Sequence, residues 1–250
     1  MSRVLLLSDI HANLPALEAV IDDADKRCQF DEVWVLGDSV GYGAQPNEVV
    51  ERLRTLPGLA IVKGNHEAAA LGEISIDSFN PSAAAAAAWT VDALSSDVRD
   101  FLSKLPLVTS SSGVTLCHGT PRNPIWEYLF TSQTADLNLD HFDTAGCVHG
   151  HTHIPSVFGR DAAGNWHINQ ARDADAFQLE FTRWFVNPGS VGQPRDGDAR
   201  ASYAFLSIPE DWNTPRIQFR RVEYDVAAAQ DLILASDLPS TLAYRLSIGR

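Results

Sequence analysis

Five short polar motifs carry residue types that bind metal ions. In chain order they are Asp9-Ile10-His11, Gly37-Asp38, Gly64-Asn65-His66-Glu67, His118-Gly119 and Gly150-His151-Thr152-His153. Together they offer carboxylate, amide and imidazole groups without a thiolate. This mixed set suits Mn, Fe, Zn or similar ions rather than a structural zinc site. The motifs therefore predict a binding site for such ions.

The spacing of the first three motifs predicts that they meet in space. His11 to Asp38 and Asp38 to Asn65 both span 27 residues, close to the roughly 30 residues of a βαβ unit. Each motif follows an apolar segment with the character of a strand. Asp9, Asp38 and Asn65 should therefore lie at one edge of a parallel sheet, where open α/β sheets bind ligands.

The elements that would position these motifs alternate in the first half of the chain. Apolar runs predict strands over 4–7, 33–36 and 59–62, and periodic patterns predict helices over 14–24 and 46–56. This order is typical of a parallel sheet with right-handed crossovers. Two further helices, over 83–88 and 97–105, lead to a strand-rich second half. Its predicted strands cover 107–109, 114–117, 146–148, 156–158, 166–169, 177–181, 184–186, 202–208 and 217–224. A helix is predicted over 225–235, with another short one near Leu242.

Composition narrows the class of protein. The chain has 250 residues with 45% hydrophobic and 20% charged residues, as a globular protein does. Its net charge of −13 argues against binding of duplex nucleic acid, which needs a basic face. No segment approaches the roughly 18 apolar residues of a membrane span, so we expect a cytoplasmic protein. Three cysteines without CxxC spacing argue against a disulfide framework.

The ordered motifs resemble the calcineurin-like metallophosphoesterase superfamily. The stretches 8–13, 37–43 and 187–191 are similar to a prokaryotic branch of small phosphodiesterases within it, and the resemblance runs from Asp9 to about Asp198. It implies an α/β fold, a four-layer α/β/β/α sandwich of two mixed sheets flanked by helices, in one domain over residues 1–250. One departure is Ala12, where glycine or serine often follows the first histidine.

The resemblance also implies two metal ions with shared ligands. Seven side chains form two sets that have one carboxylate in common: Asp9, His11, Asp38 and His153 for one ion, and Asp38, Asn65, His118 and His151 for the other. His66 would face the substrate phosphate without binding metal, and Glu67 would orient His66. We expect manganese first, with iron, nickel or zinc as alternatives.

The implied activity is hydrolysis of phosphate esters by a metal-bridging hydroxide, with His66 steadying charge or protonating the leaving oxygen. A phosphodiester is favoured. Alternatives on the same centre are a phosphomonoesterase or phosphoprotein phosphatase and a dinucleoside polyphosphate hydrolase. The rival of a different class is a non-catalytic scaffold of the same fold.

Three further residues are candidates for substrate binding. Asn13 caps a helix or contacts substrate, Arg122 and its aromatic neighbours clamp substrate or fill the core edge, and Arg195 contacts phosphate or lies in a solvated loop. Tyr42 is a candidate for the flank of the cleft. We expect a small phosphorylated substrate, with a nucleotide as one candidate. Exposed edge strands also make a homodimer an expectation.

Overall fold

Two six-stranded sheets pack against each other and carry helices on their outer faces. The computed structural model describes residues 2–210 and 214–250. The strands in this part of the chain are β1 Ser2–Leu7, β2 Glu32–Val35, β3 Ala60–Ile61, β4 Val108–Ser111, β5 Val114–Cys117, β6 Gly146–Val148, β7 Ser156–Arg160, β8 Trp166–Gln170, β9 Ala176–Gln178, β10 Arg183–Asn187, β11 Ala201–Ile208 and β12 Arg216–Val222. The α-helices of the same residues are α1 Leu14–Arg27, α2 Pro46–Arg54, α3 Asn65–Ala70, α4 Pro81–Ala93, α5 Ser96–Ser103, α6 Ser132–Asp136, α7 Val226–Leu234 and α8 Ser240–Tyr244.

The first sheet has the strand order β3-β2-β1-β11-β12-β9. Strands β1, β2 and β3 are parallel, as the sequence predicts, and β11, β12 and β9 continue the sheet in antiparallel pairs. Along β1, Val4 and Leu6 face the second sheet while Leu5 and Leu7 face the helices. Because both faces are buried, this strand is apolar along most of its length.

The second sheet has the order β4-β5-β6-β10-β7-β8, with β5, β6 and β10 parallel. Val114, Leu116 and Val148 point inward and share one core with the first sheet. The ends of β5 and β2 are adjacent, because Nδ1 of His118 lies 2.8 Å from the carbonyl oxygen of Leu36. Two mixed sheets with outer helices confirm the predicted α/β/β/α sandwich.

Helix α1 fixes the position of the first motif. Leu17, Val20 and Ile21 pack on the outer face of the first sheet. The helix starts where Asn13 caps it, with Oδ1 accepting the N–H of Ala16 at 3.1 Å. The loop between β1 and α1 is therefore anchored at both ends.

Several predicted elements differ in extent from the structure. The strand predicted over 59–62 is only Ala60–Ile61, and the one predicted over 177–181 is β9, Ala176–Gln178. The N–H of Leu179 bonds to the carbonyl of Pro215, but proline has no N–H to return, so the ladder stops there. The short helix α3, which begins inside the third motif, was not predicted.

Two further observations concern the chain as a whole. All three cysteines are free, and Cys117 and Cys147 are buried, which agrees with the absence of a disulfide framework. Among the residues that the structure describes, no helix combines the length and apolar character that crossing a membrane requires.

Candidate metal centre

The seven predicted ligands come together at the carboxyl ends of five strands. Their side chains are almost fully buried, with exposed fractions of 0–4%. We call this set the metal cluster; its members follow β1 (Asp9 and His11), β2 (Asp38), β3 (Asn65), β5 (His118) and β6 (His151 and His153). The first sheet therefore supplies every oxygen ligand and one imidazole, and the second sheet supplies the other three imidazoles.

One half of the metal cluster surrounds a carboxylate oxygen of Asp9. Oδ1 of Asp9 lies 3.2 Å from Nε2 of His153 and 3.9 Å from Nε2 of His11. The two Nε2 atoms are 3.3 Å apart. Two ligand atoms each about 2.1 Å from one ion are roughly 3.0–3.4 Å apart, so these three atoms have nearly the spacing of a shared ion.

The other half surrounds His118. Nε2 of His118 lies 3.1 Å from Oδ2 of Asp38, 3.0 Å from Oδ1 of Asn65 and 3.1 Å from Nδ1 of His151. Oδ2 of Asp38 is also 3.9 Å from Nε2 of His11, in the first half. Asp38 thus stands between both halves.

The second nitrogens of three histidines fix the direction of their rings. Each Nδ1 lies 2.5–3.2 Å from a backbone carbonyl oxygen: His11 from Val40, His118 from Leu36 and His153 from Gln193. A carbonyl can only accept, so Nδ1 carries the proton in the neutral ring and Nε2 presents its lone pair to the cluster. Metal-binding histidines have this arrangement. Together with the ligand spacing, it fits a pair of divalent cations.

The backbone at the cluster is strained. Among the described residues, seven of the nine non-glycine residues with positive φ belong to this site: Asp9, His11, Ala12, Asp38, Tyr42, His151 and His153, with φ between 51° and 67°. The left-handed conformation costs on the order of 1 kcal/mol for such residues. Strain of this kind concentrates at functional sites, where the surrounding structure holds it in place.

Glu67 holds two of the ligand loops together. Its carboxylate accepts the backbone N–H groups of Asp38 at 2.9 Å, Ser39 at 2.6 Å and Gly64 at 2.8 Å, and also the Ser39 hydroxyl at 2.6 Å. These bonds set the position of Asp38. Among the described residues no hydrogen bond joins Glu67 to the ring of His66, so the role of Glu67 in orienting His66 stays a prediction.

Burial and charge shift the pKa values of the cluster in opposite directions. Burial lowers the pKa of His11, His151 and His153 well below the usual range. Burial also opposes the charged form of His118, but the nearby carboxylate of Asp38 outweighs this and raises the pKa of His118 to about 10. Burial likewise raises the pKa of the Asp9 carboxyl to about 7.

His66 lies at the edge of the metal cluster, 97% buried. Its ring is 4.9 Å from that of His11 by centroids, and a ligand atom of His66 lies within 4.8 Å of ligand atoms of His11 and Asp38. Burial lowers the pKa of His66 to about 4. Gly41 makes room for the ring, since a Cβ there would stand 2.2 Å from Nδ1 of His66. Position 41 also has φ +84°, which favours glycine.

A cavity of about 140 Å³ opens above the cluster. Phe79, Trp126 and Tyr128 are among the residues that line it, and we call these three the aromatic wall. Arg195 lines the cavity as well, bonded to Oε1 of Gln193 at 2.9 Å and 3.5 Å from the hydroxyl of Tyr42. Tyr42 is thus at the flank of the cleft.

Two of the three predicted substrate contacts do not line this cavity. The amide of Asn13 caps α1 and donates to the carbonyl of Gly192 at 3.0 Å. The guanidinium of Arg122 pairs with Glu127. Both side chains already have partners elsewhere, so Arg195 is the predicted contact that the structure places at the cavity.

Comparison with known proteins agrees with this geometry. The model of the calcineurin-like phosphoesterase superfamily domain matches residues 2–211. The chain belongs to this superfamily. It is 42% identical to a metallophosphoesterase from Sphaerobacter thermophilus, whose crystal structure superimposes with a TM-score of 0.86 over 100% of this chain and 99% of that one.

Two further proteins are similar to this chain over its whole length. Uncharacterized protein MJ0912 of Methanocaldococcus jannaschii is 39% identical over 255 residues, covering 100% of this chain and 99% of the relative. The structure of hypothetical protein PH1004 from Pyrococcus horikoshii matches with a TM-score of 0.80 and 19% identity over 100% of this chain and 99% of that chain, which shows the fold alone. The superfamily assigns the chain to the phosphoesterase hydrolases, and its His/Asp cluster is suited to divalent metal.

Some functional side chains of this phosphoesterase were not found from the sequence. The hydroxyl of Ser8 donates to Oδ2 of Asp9 at 2.7 Å. The hydroxyl of Ser190 donates to the backbone carbonyl of Asp9 at 2.7 Å. Phe79 reaches the cavity from a polar segment far from any motif. A serine next to a motif aspartate is a weak signal for Ser8, and no pattern marks Phe79.

Proposed function

We propose that this phosphoesterase is a two-metal phosphodiesterase. The observation that carries the proposal is the position of Asp38 between two ligand groups, one around Asp9 and one around His118. In the proposed assignment, Asp9, His11, Asp38 and His153 hold one ion, and Asp38, Asn65, His118 and His151 hold the other. Manganese is the first candidate for both.

In the proposed mechanism, protein residues orient the ligand side chains, and the bound ions supply positive charge. When bound, two divalent ions supply positive charge for the phosphate and a water acidic enough to ionise near neutral pH. Asp38 fixes the separation of the two ligand groups. The backbone carbonyls that accept from Nδ1 of His11, His118 and His153 keep Nε2 of each ring directed at the metal cluster.

His66 is proposed as the group that acts on substrate without binding metal. It lines the cavity beside Asn65. Its ring is neutral near pH 7, because burial lowers the pKa to about 4. A neutral imidazole has one N–H, which can bond to a phosphate oxygen or to the departing oxygen.

The side chains that line the cavity around the metal cluster support a diester. Of the described residues that line it, Arg195 is the one with a permanent positive charge. A diester carries one negative charge at neutral pH, and a monoester carries up to two. The aromatic wall also offers a surface for a second ester group, which a monoester lacks.

Hydrolysis of two chromogenic esters tests the proposal. Protein stripped with a chelator is assayed with bis-p-nitrophenyl phosphate and p-nitrophenyl phosphate, before and after addition of Mn²⁺. Metal-restored cleavage of the diester, well above that of the monoester, is the expected result. Cleavage of the monoester alone would move the assignment to a phosphatase, and no cleavage with Mn²⁺, Fe²⁺, Ni²⁺ or Zn²⁺ would favour the scaffold.

The variant His66→Ala separates its role from that of a ligand. We expect metal content to stay at the wild-type level while kcat falls, by about a hundredfold for loss of one acid–base group. His66 also lies within ligand distance of His11 and Asp38. Loss of metal in His66→Ala would therefore make it a ligand instead.

A further inference from the structure

The aromatic wall has a composition that the metal chemistry does not require. Metal-assisted hydrolysis needs ligands, charge and water, yet Phe79, Trp126 and Tyr128 also line the cavity. Trp126 is 36% exposed and Tyr128 43% exposed. Large aromatic rings at the mouth of a polar cavity leave apolar surface in water, which a bound ligand can cover.

The rings of the wall are arranged in sequence from the metal cluster outward. The ring of Phe79 lies 5.2 Å from that of His66, and the ring of Trp126 lies 5.3 Å from that of Phe79, both edge to face. The ring centre of Trp126 is therefore no more than about 10.5 Å from that of His66. An edge-to-face pair also leaves each ring with one flat side that its partner does not touch.

Tyr128 has a different place in the wall. It stacks on His151 with centroids 3.9 Å apart and an angle of 18°, and its other contact is with Phe130 at 5.6 Å. Tyr128 thus covers a ring of the metal cluster. Trp126 has a single ring contact among the described residues, with Phe79, and so is the open stacking surface.

Arg195 supplies the matching anion contact. Its guanidinium bonds to Gln193 and Tyr42, which are uncharged partners. Within the described residues no carboxylate pairs with it at salt-bridge distance. A cavity with an unpaired guanidinium, a metal site and a stacking surface fits a phosphate joined to a flat ring by a short polar link.

We propose that Trp126, supported by Phe79, is a stacking subsite for the base of a nucleotide, so that the substrate is a nucleotide phosphodiester. Six bonds of roughly 1.5 Å join phosphorus to the base in a 5′-nucleotide, a length that suits the distance between the rings of His66 and Trp126. Stacking on an aromatic side chain tolerates any base, so we expect little discrimination between purines. This inference rests on the proposed function, since it names the substrate of the same site.

Binding of two phosphates that differ only in the base tests the subsite. Affinities of AMP and ribose 5-phosphate for the metal-loaded protein are measured by isothermal titration, which needs no turnover. We expect AMP to bind about tenfold more tightly, the value of one base–aromatic contact. In Trp126→Ala this preference should disappear while the affinity for ribose 5-phosphate stays the same.

Two matched variants control for loss of structure. Trp126→Phe keeps an aromatic face and should retain most of the preference for AMP. Tyr244→Ala removes an aromatic residue that is 62% exposed and does not line the cavity, and it should retain all of the preference. Equal affinities for the two phosphates in wild type, no measurable binding of AMP, or an unchanged preference in Trp126→Ala would each overturn the subsite.

The binding test of the base subsite and the hydrolysis test of the phosphodiesterase can succeed or fail independently. Hydrolysis of bis-p-nitrophenyl phosphate without any preference for AMP would leave the phosphodiesterase standing and remove the base subsite. A clear preference for AMP that depends on Trp126, in a protein that hydrolyses neither chromogenic ester, would keep the subsite and remove the diesterase assignment.

Discussion

The metal cluster and the aromatic wall border the same cavity but are held in different ways. Residues of the cluster directly follow strands or start a helix, and their exposed fractions do not exceed 4%. Residues of the wall come from segments outside regular strands, and two of them are at least 36% exposed. The contrast indicates that the sheets determine the chemistry and that loops determine the choice of substrate. Changes in the two regions should therefore affect different kinetic constants.

The largest effect is expected at the carboxylate that both ligand groups share. Asp38→Asn keeps the shape of the side chain but removes its charge. We expect kcat to fall by on the order of a thousandfold or more, together with loss of bound metal, measured by elemental analysis alongside diester hydrolysis. The exposed Asp92 on α4 offers a matched control in Asp92→Asn. Full activity of Asp38→Asn would mean that the cluster is not the catalytic centre.

A smaller effect is expected from the residue beneath the cluster. Glu67→Gln replaces one acceptor oxygen by an N–H₂ group that would face backbone N–H donors such as those of Asp38 and Gly64. We expect metal affinity or kcat to fall by about ten- to a hundredfold, the usual cost of losing support for a ligand. Ser39→Ala, which removes only one of these bonds, should cost less. An equal loss of metal affinity or kcat in both variants would contradict the role of Glu67 in holding the Asp38 loop and Gly64 together.

Arg195 lines the cavity outside the metal cluster, so its substitution tests substrate binding rather than metal binding. Arg195→Ala should lower kcat/KM by about ten- to a hundredfold, the value of one or two charge-assisted hydrogen bonds to phosphate, while metal content stays unchanged. For Arg122→Ala we expect a change below about fivefold, because its ion pair with Glu127 is partly exposed. If Arg122→Ala had the larger effect, the original prediction that Arg122 binds substrate would be restored.

The smallest effect concerns the scaffold behind the cluster. The carboxylate of Asp23 on α1 accepts bonds from Arg27 and from the hydroxyl of Tyr203 on β11, both at 2.6 Å. Burial raises the pKa of Asp23, but these two bonds outweigh it and lower the pKa overall. A lowered pKa means that the carboxylate stabilises the fold above the unfolded pKa of about 3.9 and that this is lost as pH falls through the folded pKa.

Asp23→Asn should therefore lower the free energy of unfolding by about 1 kcal/mol at neutral pH, and the variant and wild type should converge in acid. Calorimetric melting across this pH range measures the difference. Activity per bound metal should be unchanged. A lower kcat in Asp23→Asn would show that the scaffold and the cluster are coupled more tightly than the contrast with the wall suggests.

The sequence predicted the cluster better than the wall, for a physical reason. Parallel strands end at a common edge, so the equal spacing of His11, Asp38 and Asn65 was enough to bring their motifs together. The parallel order of β1, β2 and β3 confirms that reasoning. The stretch 122–128 was recognised only as a clamp or as core filling, because the path of a loop depends on packing that no local pattern records.

Other features could not be read from residue types alone. The carboxylate of Glu67 joins the Asp38 loop to Gly64 because donors from both segments converge on it, which only the folded chain shows. Phe79 approaches Trp126 across 47 positions of sequence. The metal identity, the diester preference, the homodimer and the cytoplasmic location stay predictions.

The left-handed backbone of the metal cluster has a consequence for the history of such chains. Strained backbone conformations persist only where the surrounding structure or a function maintains them. A relative that has lost catalysis could therefore adopt relaxed backbone angles at these residues. The backbone angles at the seven left-handed positions of the site could thus distinguish catalytic relatives from non-catalytic ones, even where every ligand residue is kept.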